Sequence, residues 1–326
     1  IEVLNLDMDF LHEGYPRLKF KTKKPSYPVI KKNKLKKYSL INKIHKILSS
    51  PNIVTKEFVA NQYDHEVQGS SIIKPLQGVG KVFGNTTAIK PLYDDNKTIS
   101  LSQSAFPQYS EADPYKMAAC SINTAVKNLV VMGANFKKIA ILDNFCWCSS
   151  DEEGRLYELR KAAEACYDYA VHYNTPFISG KDSMYNDFKG FNQKNNPIKI
   201  SIPPTLLISS IGIVDKINHL TKITPEKNDV IYVLGETHNE LDKSQYENFF
   251  SVKKTNIPKV NATKSLDLYK RFEKANKKNL FTSALGVDLG GIGITLIKMS
   301  IGSNLGLNIN IPKKNNLDIK QFLFSE

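Results

Sequence analysis

Arginine is scarce in this chain. Only Arg17, Arg155, Arg160 and Arg271 stand among 45 basic residues, so lysine carries the net charge of +13. Proteins that read nucleic-acid sequence lean on the bidentate fork of arginine. No zinc-finger spacing, aromatic RNA-binding signature or basic heptad region is present either. The abundance of Lys and Asn reads as compositional drift, and nucleic acid is not an expected partner. Cysteine is also sparse, at four residues in 326, which excludes a disulfide framework. Cys146 and Cys148 flank Trp147 as C-x-C, but no second Cys or His pair lies at zinc-like spacing. Buried thiols in a reduced compartment are the expectation, and with them a cytoplasmic location. No apolar run approaches the roughly 20 residues of a membrane span, so no membrane partner is expected. The chain opens "IEVLNLDMDF" without a methionine or signal-peptide pattern and closes on "QFLFSE". Both ends read as cut from something longer.

What is present is enough for a core. Hydrophobic residues make up 41% and aromatics 10%, which is not a disordered composition. The length predicts two domains. Residues 1–36 form a Lys- and Pro-rich connector, "KFKTKKPSYPVIKKNK" included. Domain one is expected over 37–217 and domain two over 218–326. "YSLINKIHKIL" places Leu40, Ile41, Ile44, Ile47 and Leu48 on one helical face, with His45 on its flank. A short helix follows Pro51, with Thr55 a candidate cap. Strands are expected at "TISLSQS" and "KIAILDNF", and buried strands at "TPFISGK" and "PTLLISSIGIV".

Between these lie two long helices. "DPYKMAACSINTAVKNLVVMG" turns Met117, Ile122, Ala125, Val126, Leu129 and Val130 to a core and stops at Gly133. Its start has Asp113 before Pro114, a cap with proline at the first helical position, although "SEADPY" can also be read as a ligand loop. "GRLYELRKAAEACYDYAVHY" carries Leu156, Leu159, Ala163, Cys166 and Ala170. Beyond residue 217 a strand is expected at "VIYVLGET", a helix at "SLDLYKRFEKANKKNL", and a turn leading into a helix at "LGVDLGGIGITLIKMSIG". The fold class is α/β, with helices packed on a sheet.

Chemistry is expected where strands end in polar residues: Asp143 and Asn144 after "KIAIL", and Gly180, Lys181, Asp182 and Ser183 after "TPFI". Glycine lets a phosphate approach the backbone, a carboxylate can hold Mg2+ or a ribose, and a hydroxyl can complete the shell. The spacing of a G-x-x-x-x-G-K-[ST] phosphate loop is absent. A capped turn in which Asp182 satisfies main-chain donors explains the same residues equally well. His65 and His172 have plain explanations, an interfacial or capping contact and a helix C-terminus.

Several long stretches in order, "SPNIVTKEFVANQYDHEVQG", "DPYKMAACSINTAVKNLVVMGA", "ILDNFCW", "AAEACYDYAVHYNTPFISGKDSMYN" and "SIPPTLLISSIGIV", resemble phosphoribosylformylglycinamidine synthase. The likeness runs from about residue 37 to the end. It implies one of two aminoimidazole-ribonucleotide-synthetase-like repeats, here the second: a barrel-forming α/β domain and a flanking α/β domain that is incomplete. The implied activity is ATP-dependent amidine formation on formylglycinamide ribonucleotide in purine biosynthesis, with Mg2+, and with ammonia from a glutaminase domain or subunit. The first repeat would be a partner and would hold the catalytic histidines, leaving none in this chain.

Residue by residue, Asp143 and Gly180 match the family's ATP contacts, and Ser183 matches a serine that touches the ribonucleotide. Lys181 stands where many relatives have an asparagine reaching Mg2+, and an ammonium has no lone pair for a metal. Asp182 is the alternative carboxylate. Relatives read Gly-Asp-Ala-Ala where this chain has "GNTTAIK", with Asn85 for the acid. They read His-Asp-Val-Ser-Asp-Gly-Gly where it has "LGVDLGG", with Leu285 and Gly286 for the His-Asp pair. These departures weaken a nucleotide site built from this repeat alone. They leave open a non-catalytic, nucleotide-binding repeat that supports the catalytic half. A stand-alone aminoimidazole ribonucleotide synthetase is disfavoured by "YDHEVQG" and "SGKDS".

Overall fold

The computed structural model describes residues 1–14, 18–27, 38–252, 255–311 and 317–326. Residues 15–17 and 28–36 of the expected connector lie outside them. Helix α1 (Leu40–Leu48) starts at Ser39, whose side chain accepts from Asn42 N, and a one-turn α2 (Glu57–Ala60) follows. Short strands β1 (Ser71–Ile73), β2 (Leu76–Gln77) and β3 (Val82–Phe83) lead to β4 (Thr86–Ile89) and β5 (Thr98–Ser104). After α3 (Pro107–Ser110) come α4 (Pro114–Met132), β6 (Ile139–Cys146), α5 (Glu153–Tyr173) and β7 (Phe177–Ser183). A hairpin of β8 (Asp187–Phe191) and β9 (Pro197–Ser201) precedes the long β10 (Thr205–Val214). The remainder is helical: α6 (Gln245–Phe249), α7 (Ala262–Asn276), α8 (Gly291–Ser303) and α9 (Ile319–Phe324).

Six strands form one sheet in the order β1-β4-β5-β10-β6-β7, antiparallel except for the parallel pair β6–β7. That pair is joined through α5, the crossover that parallel strands require. Strand alternation decides the faces. In β10, Leu206, Ile208, Ser210, Gly212 and Val214 are buried while the residues between them are half-buried. Helix α4 covers the buried face. Asp113 accepts from Lys116 N at 3.1 Å, Pro114 supplies a position that needs no N–H, and Gly133 ends the helix at φ 107°. A Cβ at Gly133 would collide with the carbonyl of His219, so glycine is required twice over. Ile122 and Leu129 are fully buried, each worth about 1.5–3 kcal/mol of apolar burial. Leu129→Ala would cost about 2–5 kcal/mol. On the opposite face Leu101 is 46% exposed.

The expected α/β class, helices on a sheet, is the observed one. Two hydrophobic clusters form. The larger joins α4, α5 and the sheet with Tyr269 and Phe272 of α7. The smaller gathers Leu241, Tyr246, Phe250, Ile294, Leu323 and Phe324 with Ile47 of α1. Ile41 is exposed, because the α1 stripe narrows to Leu40, Ile44, Ile47 and Leu48. Thr55 does not cap α2; Lys56 holds that position and Thr55 Oγ1 donates to Lys81 O. Ala163 faces solvent while Ala162 and Ala165 take the buried phase of α5.

Two strand expectations need correction. β7 is an edge strand, exposed along most of its length rather than buried. "VIYVLGET" forms no strand: Val230 and Tyr232 are 73% and 77% exposed, and the only bridge among the described residues of 218–326 joins Lys222 to Ser283. A β-prone sequence becomes a strand only with a partner to pair with.

Candidate functional site at the tips of two parallel strands

Strands β6 and β7 run side by side with Asp143 opposite Gly180, Asn144 opposite Lys181, Phe145 opposite Asp182 and Cys146 opposite Ser183. Paired residues point to the same face and successive ones to opposite faces. Asp143, Gly180 and Asp182 therefore share a face with Ile139, Ile141 and Phe145, which enter the core under α4 and α5. Asn144, Lys181 and Ser183 share the other. Side-chain contacts agree: Lys181 Nζ donates to Ser183 Oγ, and Cys146 Sγ donates to Asn144 Oδ1 at 3.5 Å. The structure thus brings Asp143 to Gly180 and Lys181 to Ser183, but turns Ser183 away from Asp143.

The Asp143 carboxylate lies over Gly180 so closely that a Cβ there would collide with it. Burial, and then the Asp182 carboxylate, push the Asp143 pKa up; the main-chain N–H of Lys181 opposes them. Beneath Asp143, the Cys166 thiol is buried and pushed up to about 12, which leaves it unreactive at neutral pH. Cys148 is buried and its pKa is raised, chiefly by burial.

The strand tips are held from behind. Asn186 Nδ2 donates to the carbonyls of Ser183 at 2.7 Å and Trp147 at 3.1 Å, and Trp147 N donates to Ser183 O at 2.7 Å. Trp147 is fully buried, with Nε1 donating to Arg155 O at 3.0 Å. Arg155 and Tyr27 in turn hold the two oxygens of Glu158, at 3.1 and 2.6 Å. Asn186, Glu158 and Tyr27 were missed by sequence reasoning, whereas Asn144 was among the strand-end residues expected. Glu158 did carry a signal: it sits four residues before Ala162 on the buried stripe of α5, where a carboxylate must find partners.

Other candidates lie elsewhere. His65 Nε2 is 2.9 Å from Ala60 O, and His172 Nε2 is 3.5 Å from Thr263 Oγ1. Asn85 meets the main chain of Gly286 beside Asn128, which is buried with neither amide atom partnered. Among the described residues no group of three or more His, Cys, Asp or Glu is placed to hold a metal ion, and no helix is long and apolar enough to cross a membrane.

Residues 84–207 match the family model described as AIR synthase related protein, N-terminal domain. This segment runs from β4 into the start of β10 and contains the paired strand tips, so this part of the chain is AIR-synthase-like. The chain is 29% identical over its whole length to 43% of the phosphoribosylformylglycinamidine synthase subunit PurL of Thermococcus sibiricus. It is 31% identical over 88% of its length to 37% of the same subunit from Picrophilus torridus. A solved structure of T. maritima PurL complexed with ATP aligns over 81% of this chain and 34% of that one, at 16% identity and a TM-score of 0.45. The chain is thus similar, over most or all of its length, to part of the phosphoribosylformylglycinamidine synthase subunit PurL. It spans less than half the length of the curated relatives it matches.

Proposed function

We propose that this chain is the second synthetase repeat of a phosphoribosylformylglycinamidine synthase and contributes the β6–β7 tips to a nucleotide site shared with a first repeat. The observation that carries the reading is the packing of the Asp143 carboxylate over Gly180 at the exposed end of a parallel pair. Ligands gather at such strand ends in α/β sheets. Asp143 and Gly180 contact ATP, and Ser183 reaches the ribonucleotide from the other face. The half-open sheet face around Leu101 would seat the partner repeat.

The reaction in this reading is leaving-group activation in the cytoplasm. The amide oxygen of formylglycinamide ribonucleotide attacks the γ-phosphorus of ATP, forming an O–P bond and releasing ADP. Ammonia, released from glutamine by a glutaminase partner, then adds to the same carbon. Phosphate departs with the oxygen, a proton is lost, and an amidine remains. An amide oxygen leaves poorly and an O-phosphate readily, so the phosphoryl charge is what the site must hold.

A resident Mg2+ does not fit the Lys181 face of the strand pair. It needs oxygen ligands, usually carboxylates, in an octahedron. The face with Lys181 and Ser183 offers an ammonium, a hydroxyl and the Asn144 amide, while Asp143 and Asp182 lie on the other side of the sheet. No step is placed on a metal held by this chain.

ATP titration of the chain and of Asp143→Ala tests the reading: binding should be lost in the variant, and retained affinity would overturn the assignment. The alternative, a repeat that only buttresses the catalytic half, is favoured by the Asn85 and Gly286 departures. It predicts a chain that binds no nucleotide but is still required for turnover of the whole enzyme.

A further inference from the structure

We propose that the outward face of the β6–β7 tip is an anion subsite that takes a phosphoryl group directly on the Lys181 ammonium, without a divalent cation. The inference deepens the nucleotide reading above and rests on it for the identity of the phosphoryl donor. Three observations carry it. First, the register puts Asn144, Lys181 and Ser183 on one face and both nearby carboxylates on the other, so no anionic side chain of these strands competes for the ammonium there. Second, Lys181 Nζ is anchored on Ser183 Oγ rather than on an acid, and of the ammonium's three protons one is used. Third, β7 is the sheet edge and is exposed from Ile178 to Asp182, so main-chain N–H groups directed away from β6 add further donors. Ammonium, hydroxyl, amide and main-chain N–H all donate to phosphoryl oxygens. A divalent cation in the same place would be repelled by the fixed positive charge and would meet only neutral ligands.

Inorganic tripolyphosphate and ATP are the probes, each titrated calorimetrically into the 326-residue chain in excess EDTA and again with Mg2+. Tripolyphosphate should bind in EDTA. Lys181→Met should weaken it by about tenfold, the value of one charge-assisted contact, while Lys181→Arg should stay within about threefold. Lys181 is exposed, so both variants should melt with the parent. Tripolyphosphate binding that requires Mg2+, or is equal in Lys181→Met, overturns the proposal. Binding of ATP only with Mg2+ and regardless of residue 181 overturns it while sparing the nucleotide reading. Tripolyphosphate binding through Lys181 with no binding of ATP does the reverse. Failure of both probes in the parent chain overturns both.

Discussion

The Asn85 side chain donates to the main-chain carbonyl of Gly286 at 3.4 Å. Two of the places where this chain departs from the synthase pattern it resembles, some two hundred residues apart, are therefore one contact. Gly286 lies against Asn128 and Lys127, where a Cβ would crowd the Asn128 amide, and Lys127 Nζ donates to Val287 O. An acid at 85 and an acid at 286 would face each other here; an amide and a glycine do not. Asn85→Asp should turn a donor into a charged acceptor against that carbonyl and cost about 1–3 kcal/mol. Urea unfolding at neutral pH should show the loss. Near pH 4, where an aspartic acid regains its proton and can donate, the difference should shrink.

Asp143 predicts a trade between stability and binding. Its pKa is raised by burial and by Asp182, so the folded state holds the proton more tightly than the unfolded chain. That favourable linkage is complete below the unfolded pKa and is lost as pH rises through the folded one. At pH 7 the native state therefore carries an unfavourable charge. Asp143→Asn should raise the melting temperature at neutral pH by roughly 2 °C and change it little in acid. Nucleotide affinity should fall in the same variant. Equal melting of the two proteins at every pH would refute the electrostatic account.

A second carboxyl titrates nearer neutrality. Glu326 accepts from Tyr109 Oη at 2.7 Å, Gln245 N at 2.8 Å and Gly290 N at 2.7 Å, tying α3 to the second hydrophobic cluster. Burial pushes its pKa up to about 7, with Asp288 adding to the rise and the three donors opposing it. The sign is the same as for Asp143: stability from this group is full below its unfolded pKa of about 4.5, declines from there to about 7, and is gone above. Glu326→Gln should flatten that part of the stability–pH curve, as read by thermal melts across the range.

Much of this was legible from residue order. The capped start of α4 at Asp113, its stop at Gly133 and the strands at "TISLSQS", "KIAILDNF" and "PTLLISSIGIV" follow from local chemistry, and local chemistry is what sequence records. What could not be read was pairing. "TPFISGK" is apolar enough for an inner strand but lies at the sheet edge, and "VIYVL" has strand propensity with nothing to pair with. The site failed in the same way. "GKDS" lists four candidate residues, yet alternation along β7 and its register with β6 decide that Asp182 and Ser183 serve opposite faces.

The extended stretch before residue 28 should matter to the site despite its distance in sequence. Lys23 N donates to Glu153 O, and Tyr27 Oη donates to Glu158, which is 1% exposed. Tyr27→Phe leaves one oxygen of a buried carboxylate with only Arg155 beside it, at a cost of about 1–3 kcal/mol. Limited proteolysis should then cut within residues 18–27 sooner than in the parent chain. Unchanged cleavage would mean the stretch is not held by this bond.

Gly180→Ala isolates the site from the fold. The backbone at 180 is ordinary strand, so alanine meets no conformational objection, and the position is exposed. Its methyl group would, however, occupy the space of the Asp143 carboxylate, which must swing away from the strand pair. Displacing one half-buried side chain of β6 should change stability by no more than about 1 kcal/mol. Binding is another matter, because the added carbon both closes the approach to the backbone and moves the acid. ATP affinity should drop by about tenfold or more, the effect of a misplaced polar group worth about 1.4 kcal/mol. Calorimetry paired with a thermal melt separates the two. A large drop in melting temperature would mark Gly180 as a packing residue, and unchanged affinity would remove the carboxylate at 143 from the nucleotide site.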